Sequence, residues 1–230
     1  MVVPTLAADV LRVEADEAKH LVKSLRLKIG ESFVATDGAG IVARLVATAI
    51  DRRGIDATVA ERARVEPPPL RLWLCAEAEG SRADWLVEKA VELGAWAYCP
   101  LTPADPGRRA RWERLARAAL KQSLGAWVLH LPGDDGMPAL EQARAGMFAG
   151  AWIGLPGGAD PRTQALPAQG DWLVVSGPPE GFSPSREAAW RALPGARAID
   201  LGPRRLRAET AALALLVAAR LGSRPAWETG

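Results

Sequence analysis

Two cysteines and two histidines are all that 230 residues offer in soft metal ligands and neutral-pH bases. Neither His20 nor His130 has a cysteine or carboxylate partner at metal-ligand spacing, so no metal is expected. His130 reads as a strand-end residue with a local partner. No G-x-S-x-G is present and the histidines fall on opposite sides of a proline-rich linker, which leaves a hydrolase without support. The Gly-Lys-Ser/Thr of a Walker loop and the G-x-G-x-x-G of a dinucleotide fold are missing too. Cys75 and Cys99 sit in apolar, strand-like surroundings and read as buried, reduced thiols, which argues against covalent cysteine catalysis and fits a reducing cytosol. No charged-then-apolar leader opens the chain and no run approaches bilayer length, so a soluble, cytoplasmic protein is expected. Lysine is scarce: Lys19, Lys23, Lys28, Lys89 and Lys121 stand among 29 basic residues. The rest are arginines, whose planar fork suits phosphates and bases, although a GC-rich genome gives the same bias. The net charge is only +2, so any nucleic-acid surface must be local.

What is present divides in two. Hydrophobic residues make up 49 %, enough for a substantial core. Residues 1–66 read as a small, mostly β module, with strands over 31–36, 41–50 and 55–64 joined by Asp37-Gly38 and Arg52-Arg53-Gly54 turns. Residues 16–25 have helical spacing, with Ala18, Leu21, Val22 and Leu25 on one face. Lys19, His20, Lys23, Arg26 and Lys28 gather positive charge beside it, either an RNA-facing edge or an ordinary solvated face. Glu66-Pro67-Pro68-Pro69 is the linker, because consecutive prolines stiffen the chain and cannot continue a ladder.

Residues 70–230 alternate strand and helix, which implies a mainly parallel sheet with helices on both faces. Strands are expected over 70–76, 95–101, 128–131, 148–153 and 172–175. One helix is capped by Ser81, carries Trp85, Leu86, Ala90, Val91 and Leu93, and ends at Gly94. A second, over 108–123, opens with Arg108, Arg109, Arg111, Arg114 and Arg117 and no matching acids nearby, a phosphate-facing or merely solvated surface. A short third covers 138–144. Leu155-Pro156-Gly157-Gly158 and Ser176-Gly177-Pro178-Pro179 are loops where backbone can approach a ligand. Ser183-Pro184 reads as an N-cap with proline at the first helical position. A strand entering a helix N-terminus through such a loop is where open α/β sheets bind ligands, or it is a plain turn. The final helix, 208–221, is apolar over much of its circumference, so it either lies centrally in a monomer or buries one face against a second subunit.

Four blocks add specificity: Glu88 to Gly94 (EKAVELG), Lys121-Gln122-Ser123, Gly177 to Ser183 (GPPEGFS) and Leu201 to Thr210 (LGPRRLRAET). Together with His20, Leu25, Arg26 and Gly30, they resemble the bacterial 16S rRNA uridine-N3 methyltransferases of the SPOUT superfamily, over nearly the whole chain. The resemblance implies an α/β fold: a SPOUT-type, trefoil-knotted, mainly parallel sheet, preceded by a small PUA-like RNA-binding β-barrel. It implies S-adenosyl-L-methionine as cofactor, 16S rRNA or the small ribosomal subunit as partner, and a homodimer. Carried onto this chain, the cofactor residues are Leu155, Gly157, Ser176, Gly177, Pro178, Glu180, Gly181, Leu201, Gly202, Leu206 and Thr210. RNA contacts fall on Lys19, Lys23, Arg26, Lys28, Arg111 and Arg117. Arg207 becomes the cation that stabilises charge developing on uracil, with Glu209 orienting it or capping the last helix. One departure stands out: where the family has Gly-Pro-Glu-Gly-Gly-Phe, this chain has Gly177-Pro178-Pro179-Glu180-Gly181-Phe182, so Pro179 removes an amide donor and the carboxylate moves one position along to Glu180. The arginine that often follows the E-Q-S block is also absent, with Leu124 in its place. The other readings are a catalytically silent RNA-binding protein that keeps the fold, and an α/β enzyme for another nucleotide-like ligand.

Overall fold

The computed structural model describes residues 1–24, 26–132 and 137–223. Leu25 and the His20 side chain, both part of the basic-helix pattern, lie outside the described residues. By its contacts the chain forms two units: Met1–Pro67 with Leu120–Val128, and Pro68–Ala119 with Leu129–Gly230.

The first unit is built on β1 (Val10–Glu14), α1 (Ala15–Ser24), β2 (Ser32–Thr36), β3 (Ile41–Asp51) and β4 (Gly54–Arg64). Its four strands pair antiparallel in the order β1-β4-β3-β2. Period-two alternation buries Phe33 and Ala35, Ala43, Leu45 and Ala47, and Ile55 and Ala57 on one face, where Ala18 and Leu21 of α1 cover them. The three expected strands appear, and the short β1 joins them. Leu120–Val128 belongs to this unit through specific bonds. The Gly40 amide donates to Ala126 O at 3.0 Å and the Trp127 indole N–H to Val65 O at 3.1 Å. A Cβ at Gly40 would come within 2.5 Å of the Trp127 ring, so glycine is required beneath it.

The second unit carries β5 (Leu70–Ala76), α2 (Gly80–Glu92), β6 (Ala97–Pro100), most of α3 (Pro106–Ser123), α4 (Met137–Arg144), β7 (Gly150–Ala159), β8 (Gly170–Ser176), α5 (Pro184–Arg191), β9 (Ala196–Ile199) and α6 (Ala208–Gly222). The strands are all parallel, in the order β6-β5-β8-β7-β9. Cys75, Ala151, Ile153, Leu173 and Val175 face a core closed by Leu140 of α4 and Trp190 of α5. The intervening residues point the other way, where α6 packs across β5, β8 and β7 and meets α2. Helices thus cover both faces, as the β/α rhythm implies. Cys75 and Cys99 pair across β5 and β6 as buried free thiols. The Cys99 thiol, and then burial, push Cys75 well above the usual thiol range, so it is no thiolate nucleophile.

Three local expectations change. Ser81 is not the cap of α2: Gly80 takes a left-handed φ of 54°, the helix starts there, and Glu79 becomes an N-cap without a side-chain bond. Trp85 is 44 % exposed, because the buried stripe of α2 runs through Ala83, Leu86, Val87, Ala90 and Val91. Residues 128–131 form no named strand, since their hydrogen bonds divide between partners. Val128 donates to Gly38 O, while His130 donates to Trp96 O and accepts from the Tyr98 amide. His130 also tilts against the Trp96 ring at 4.6 Å, the local partner expected for it. Among the described residues no helix is long and apolar enough to cross a membrane.

The β5–β8 register is pinned at its N-terminal end, where Arg71 pairs with Asp171. The Asp171 carboxylate accepts from the Arg71 guanidinium at 2.5 Å and from the Trp73 indole N–H at 2.7 Å. Asp171→Ala strands both donors and is expected to lower stability by about 1–2 kcal/mol in urea unfolding, a loss tempered by the partial exposure of the pair. Asp171→Asn, which keeps an acceptor for Trp73, should recover part of it. An unchanged midpoint for the alanine variant would mean that backbone pairing alone holds the register.

Candidate functional site

Parallel strands deliver all their C-terminal ends to one edge of the sheet, and three glycine-bearing loops leave that edge from β7, β8 and β9. The first is not a loop after a strand, as the sequence suggests, but an excursion within one. Gly154 and Ala159 both register with Ile199, so Leu155, Pro156, Gly157 and Gly158 bulge out between two pairings to the same residue. Gly158 lies so close to the β9 backbone that an added Cβ would fall 2.6 Å from Ala198, which makes glycine obligatory there. Leu155 is buried, while Gly157 takes a φ of 73° at the tip.

The β8 loop starts at buried Ser176 and passes Gly177, over which the Phe182 ring lies 3.1 Å from any added Cβ. The Gly181 amide donates to Pro178 O at 2.8 Å, closing a four-residue turn. Pro179 occupies its second position, where proline is favoured and no amide donor is needed, and Glu180 its third. Pro179 is therefore absorbed by a tight turn, which leaves Glu180 exposed at the loop tip. Ser183 then caps α5 as expected, accepting from the Arg186 amide at 3.4 Å with Pro184 at the first helical position.

The third loop begins with Asp200, a residue absent from the sequence-derived candidates. Its carboxylate accepts from the Gly202 amide at 2.8 Å and from the Gly157 amide at 2.8 Å, and its own amide donates to Ala159 O at 2.9 Å. Asp200 thereby ties the β7 excursion to the β9 loop. The Gly202 and Gly157 amides hold its carboxyl below the usual carboxylate range. A second tie runs from the Arg205 guanidinium to Pro179 O at 3.1 Å, joining the β9 and β8 loops. An aspartate two residues before a loop glycine is a recognisable turn signal. Its reach to Gly157, 43 positions away, is not.

So the structure brings Leu155, Gly157, Ser176, Gly177, Pro178, Glu180, Gly181, Leu201, Gly202 and Leu206 into three mutually tied loops, with Thr210 exposed in the first turn of α6 beyond them. Gly157, Gly181 and Gly202 all have positive φ, and a Cβ on any of them would meet nothing within 4 Å. Backbone bordered by open space is what a flat heteroaromatic ligand requires, because amides and carbonyls can then reach its edge unobstructed.

Arg207 is the extended N-cap of α6, exposed, with no side-chain capping bond. Glu209 does not orient it. Its largely buried carboxylate faces Arg82 of α2 at 3.6 Å, because the first turn of α6 packs against that helix. Of the basic candidates, Lys19, Lys23, Arg26 and Lys28 are exposed in the first unit and Arg117 is exposed on α3. The arginine run of α3 does have acids nearby, supplied from outside the run. Arg111 pairs with Asp84 at 2.6 Å, Arg108 with Asp105 at 3.8 Å and Arg109 with Glu113 at 3.7 Å. Arg114 and Arg117 form no ion pair among the described residues, so Arg117 presents charge more openly than Arg111.

Comparison with known proteins matches residues 66–220 to an RNA methyltransferase domain and residues 13–60 to an RNA methyltransferase PUA domain. The ribosomal RNA small subunit methyltransferase E of Mycobacterium tuberculosis is 34 % identical over 221 residues, which covers 89 % of this chain and 83 % of the relative. That of Bacillus subtilis is 23 % identical over 237 residues, 92 % of this chain and 90 % of the relative. Among solved structures, the Neisseria gonorrhoeae ribosomal RNA small subunit methyltransferase E bound to S-adenosyl methionine superposes with a TM-score of 0.79 at 24 % identity, over 96 % of this chain and 95 % of that one.

If Asp200 is the tie between loops, Asp200→Ala should speed hydrogen exchange at the Gly157 and Gly202 amides by about tenfold or more. Exchange along β8 should stay as in the parent, because local opening there does not depend on this bond. Unchanged protection at Gly157 would assign the loop geometry to the β7–β9 pairing alone.

Proposed function

The chain belongs to the RNA methyltransferase domain family, and from that premise we propose that it methylates N3 of a uridine in 16S ribosomal RNA with S-adenosyl-L-methionine as donor. The fold is that of the SPOUT methyltransferases, with a PUA-like unit ahead of it. The observation that carries the reading is the set of three glycine-bearing loops at the C-terminal sheet edge, tied by Asp200 and Arg205 and bordered by open space.

When bound, the cofactor supplies a methyl group made electrophilic by its sulfonium. The chain does the rest. Backbone of Leu155 to Gly157, Ser176 to Gly181 and Leu201 to Leu206 holds the adenosyl group, with Thr210 closing the site. Arg207 faces the carbonyl oxygens that gain negative charge as N3 loses its proton; a fixed cation there favours the transition state over the neutral ground state. With Glu209 engaged to Arg82, the Arg207 fork is left for substrate. Lys19, Lys23, Arg26 and Lys28 in the PUA-like unit, with Arg117, supply phosphate contacts in the cytoplasm, where such RNA is made.

Incubation of the purified protein with S-adenosylmethionine and small-subunit rRNA should place one methyl group on uridine N3, read by nucleoside mass spectrometry. Arg207→Ala should slow single-turnover transfer by roughly a hundredfold while cofactor affinity and melting temperature stay near the parent's. RNA binding without any transfer by the parent would instead identify a silent RNA-binding protein.

We also propose a homodimer formed through α6. Val217 and Leu221, one turn apart, are 37 % and 63 % exposed on a helix that buries Ala212, Leu213, Leu215, Leu216 and Ala219 in its own unit. Sedimentation should show twice the 24.5 kDa chain mass at micromolar concentration, and Leu221→Lys with Val217→Lys should shift it to monomer. A parent that sediments as a monomer removes the proposal.

A further inference from the structure

A cavity of about 310 Å³ opens at the C-terminal ends of β5 and β6, lined by Glu77, Glu79, Gly80, Thr102 and Arg108, with Tyr98 and Trp112 in its wall. We propose that this cavity receives the target uracil and that Glu77 accepts its N3 proton. The inference rests on the methyltransferase reading above.

Position comes from sheet register. Cys75 pairs with Val175 in parallel, so Glu77 leaves β5 level with Gly177 at the start of the β8 cofactor loop. Adjacent strands lie only about 4.8 Å apart, which sets Glu77, at the β5 side of the cavity, one strand spacing from that loop. A second link runs through α2. Its first residues line the cavity, and two residues further on Arg82 holds Glu209, which immediately follows the Leu201 to Leu206 loop and Arg207. The volume is at the small end for ligand pockets, suited to one base rather than a whole cofactor.

The lining matches the Watson–Crick edge of uracil, an N–H between two carbonyls. A carboxylate accepts from N3–H. The start of α2, whose first residue Gly80 lines the cavity, has no side-chain cap and no acid in its first turn. The Arg108 guanidinium donates to one flanking carbonyl oxygen as charge builds there, and Arg207, outside the lining itself, is left for the other. Among the groups lining the cavity, Glu77 is the base best placed. Glu79 is exposed at the helix N-cap. The Tyr98 hydroxyl is held on Ala76 O at 3.3 Å and is pushed upward by burial, so it stays neutral. Glu77 is half-buried and forms no ion pair among the described residues. Tyr98 and Trp112 meet edge-on at 5.4 Å and stiffen the wall.

In the step itself the N3–H bond breaks and its proton passes to the Glu77 carboxylate. The electron pair left on N3 forms the bond to the methyl carbon. The methyl–sulfur bond breaks with its electrons retained by sulfur, which becomes a neutral thioether. Glu77 then releases the proton to water. Loss of the sulfonium charge drives what a carboxylate alone does poorly against a weakly acidic imide.

The test uses the full chain with Glu77→Gln, Glu77→Asp and Glu77→Ala. For Glu77→Gln, cofactor affinity and melting temperature are expected at the parent's values, with single-turnover methylation at pH 7 slowed by about a hundredfold or more. Its rate should then climb about tenfold per pH unit as hydroxide replaces the base, a steeper profile than the parent's. Glu77→Asp should regain at least about tenfold of the loss. A readout without turnover uses protein loaded with S-adenosylhomocysteine. The parent should bind a uridine RNA stem-loop about tenfold more tightly than its N3-methyluridine counterpart, and Glu77→Ala should bind both equally. Transfer by Glu77→Gln within about threefold of the parent, or with the parent's pH profile, overturns the assignment of Glu77 while leaving the enzyme reading intact. A parent that binds the cofactor but methylates no uridine N3 overturns both.

Discussion

Parallel pairing of β5 with β8 is the constraint on which the second unit depends. These strands are distant in sequence, yet Leu70 through Cys75 register residue by residue with Gly170 through Val175. The pairing is held at one end by the Asp171 carboxylate bridging Arg71 and Trp73, and along its length by buried Leu72, Leu74, Leu173, Val174 and Val175. A slip by one residue would turn each apolar side chain to the opposite face, so the register is strongly specified. Since the strands run the same way, what is pinned at the bottom fixes what emerges at the top. Glu77 and the Ser176–Gly181 loop leave the sheet side by side for that reason.

The site above this edge is made chiefly of backbone. Its loops are shaped by glycine and proline: Gly158 against the β9 chain, Gly177 beneath Phe182, and Pro179 inside a turn. Side chains then lock the loops to one another, Asp200 joining the β7 and β9 loops and Arg205 the β9 and β8 loops. Such a construction leaves few titratable groups to mark the site. Charge pairs with perturbed titration lie instead at the surface, as in Arg12 with Asp51 and Asp160 with Arg162. Perturbed titration is a common pointer to function, but here the geometry of glycine is the better one.

Much was legible in the sequence because it depends on neighbours along the chain. Alternation in Phe33–Ala35 and Ala43–Ala47, the Ser183-Pro184 cap and the glycine loops are local patterns with local causes. The four sequence blocks, read together, led to the family. Legibility failed where a competing contact decided the outcome. Ser81 lost its capping position to the left-handed turn at Gly80, and residues 128–131 lost their strand because their amides found unlike partners.

By itself, then, the sequence determined the class of fold, the loops that follow β8 and β9, and the family. What only the tertiary structure decided is which distant groups meet. Asp200 with Gly157, Arg205 with Pro179, Glu209 with Arg82 rather than Arg207, and the level of Glu77 beside Gly177 all follow from strand order and register. The physical reason is one of range. Turn and helix preferences arise from sterics and hydrogen bonds within a few residues, whereas a parallel sheet joins segments through long crossovers. Its register is set only when the two buried faces close on their helices.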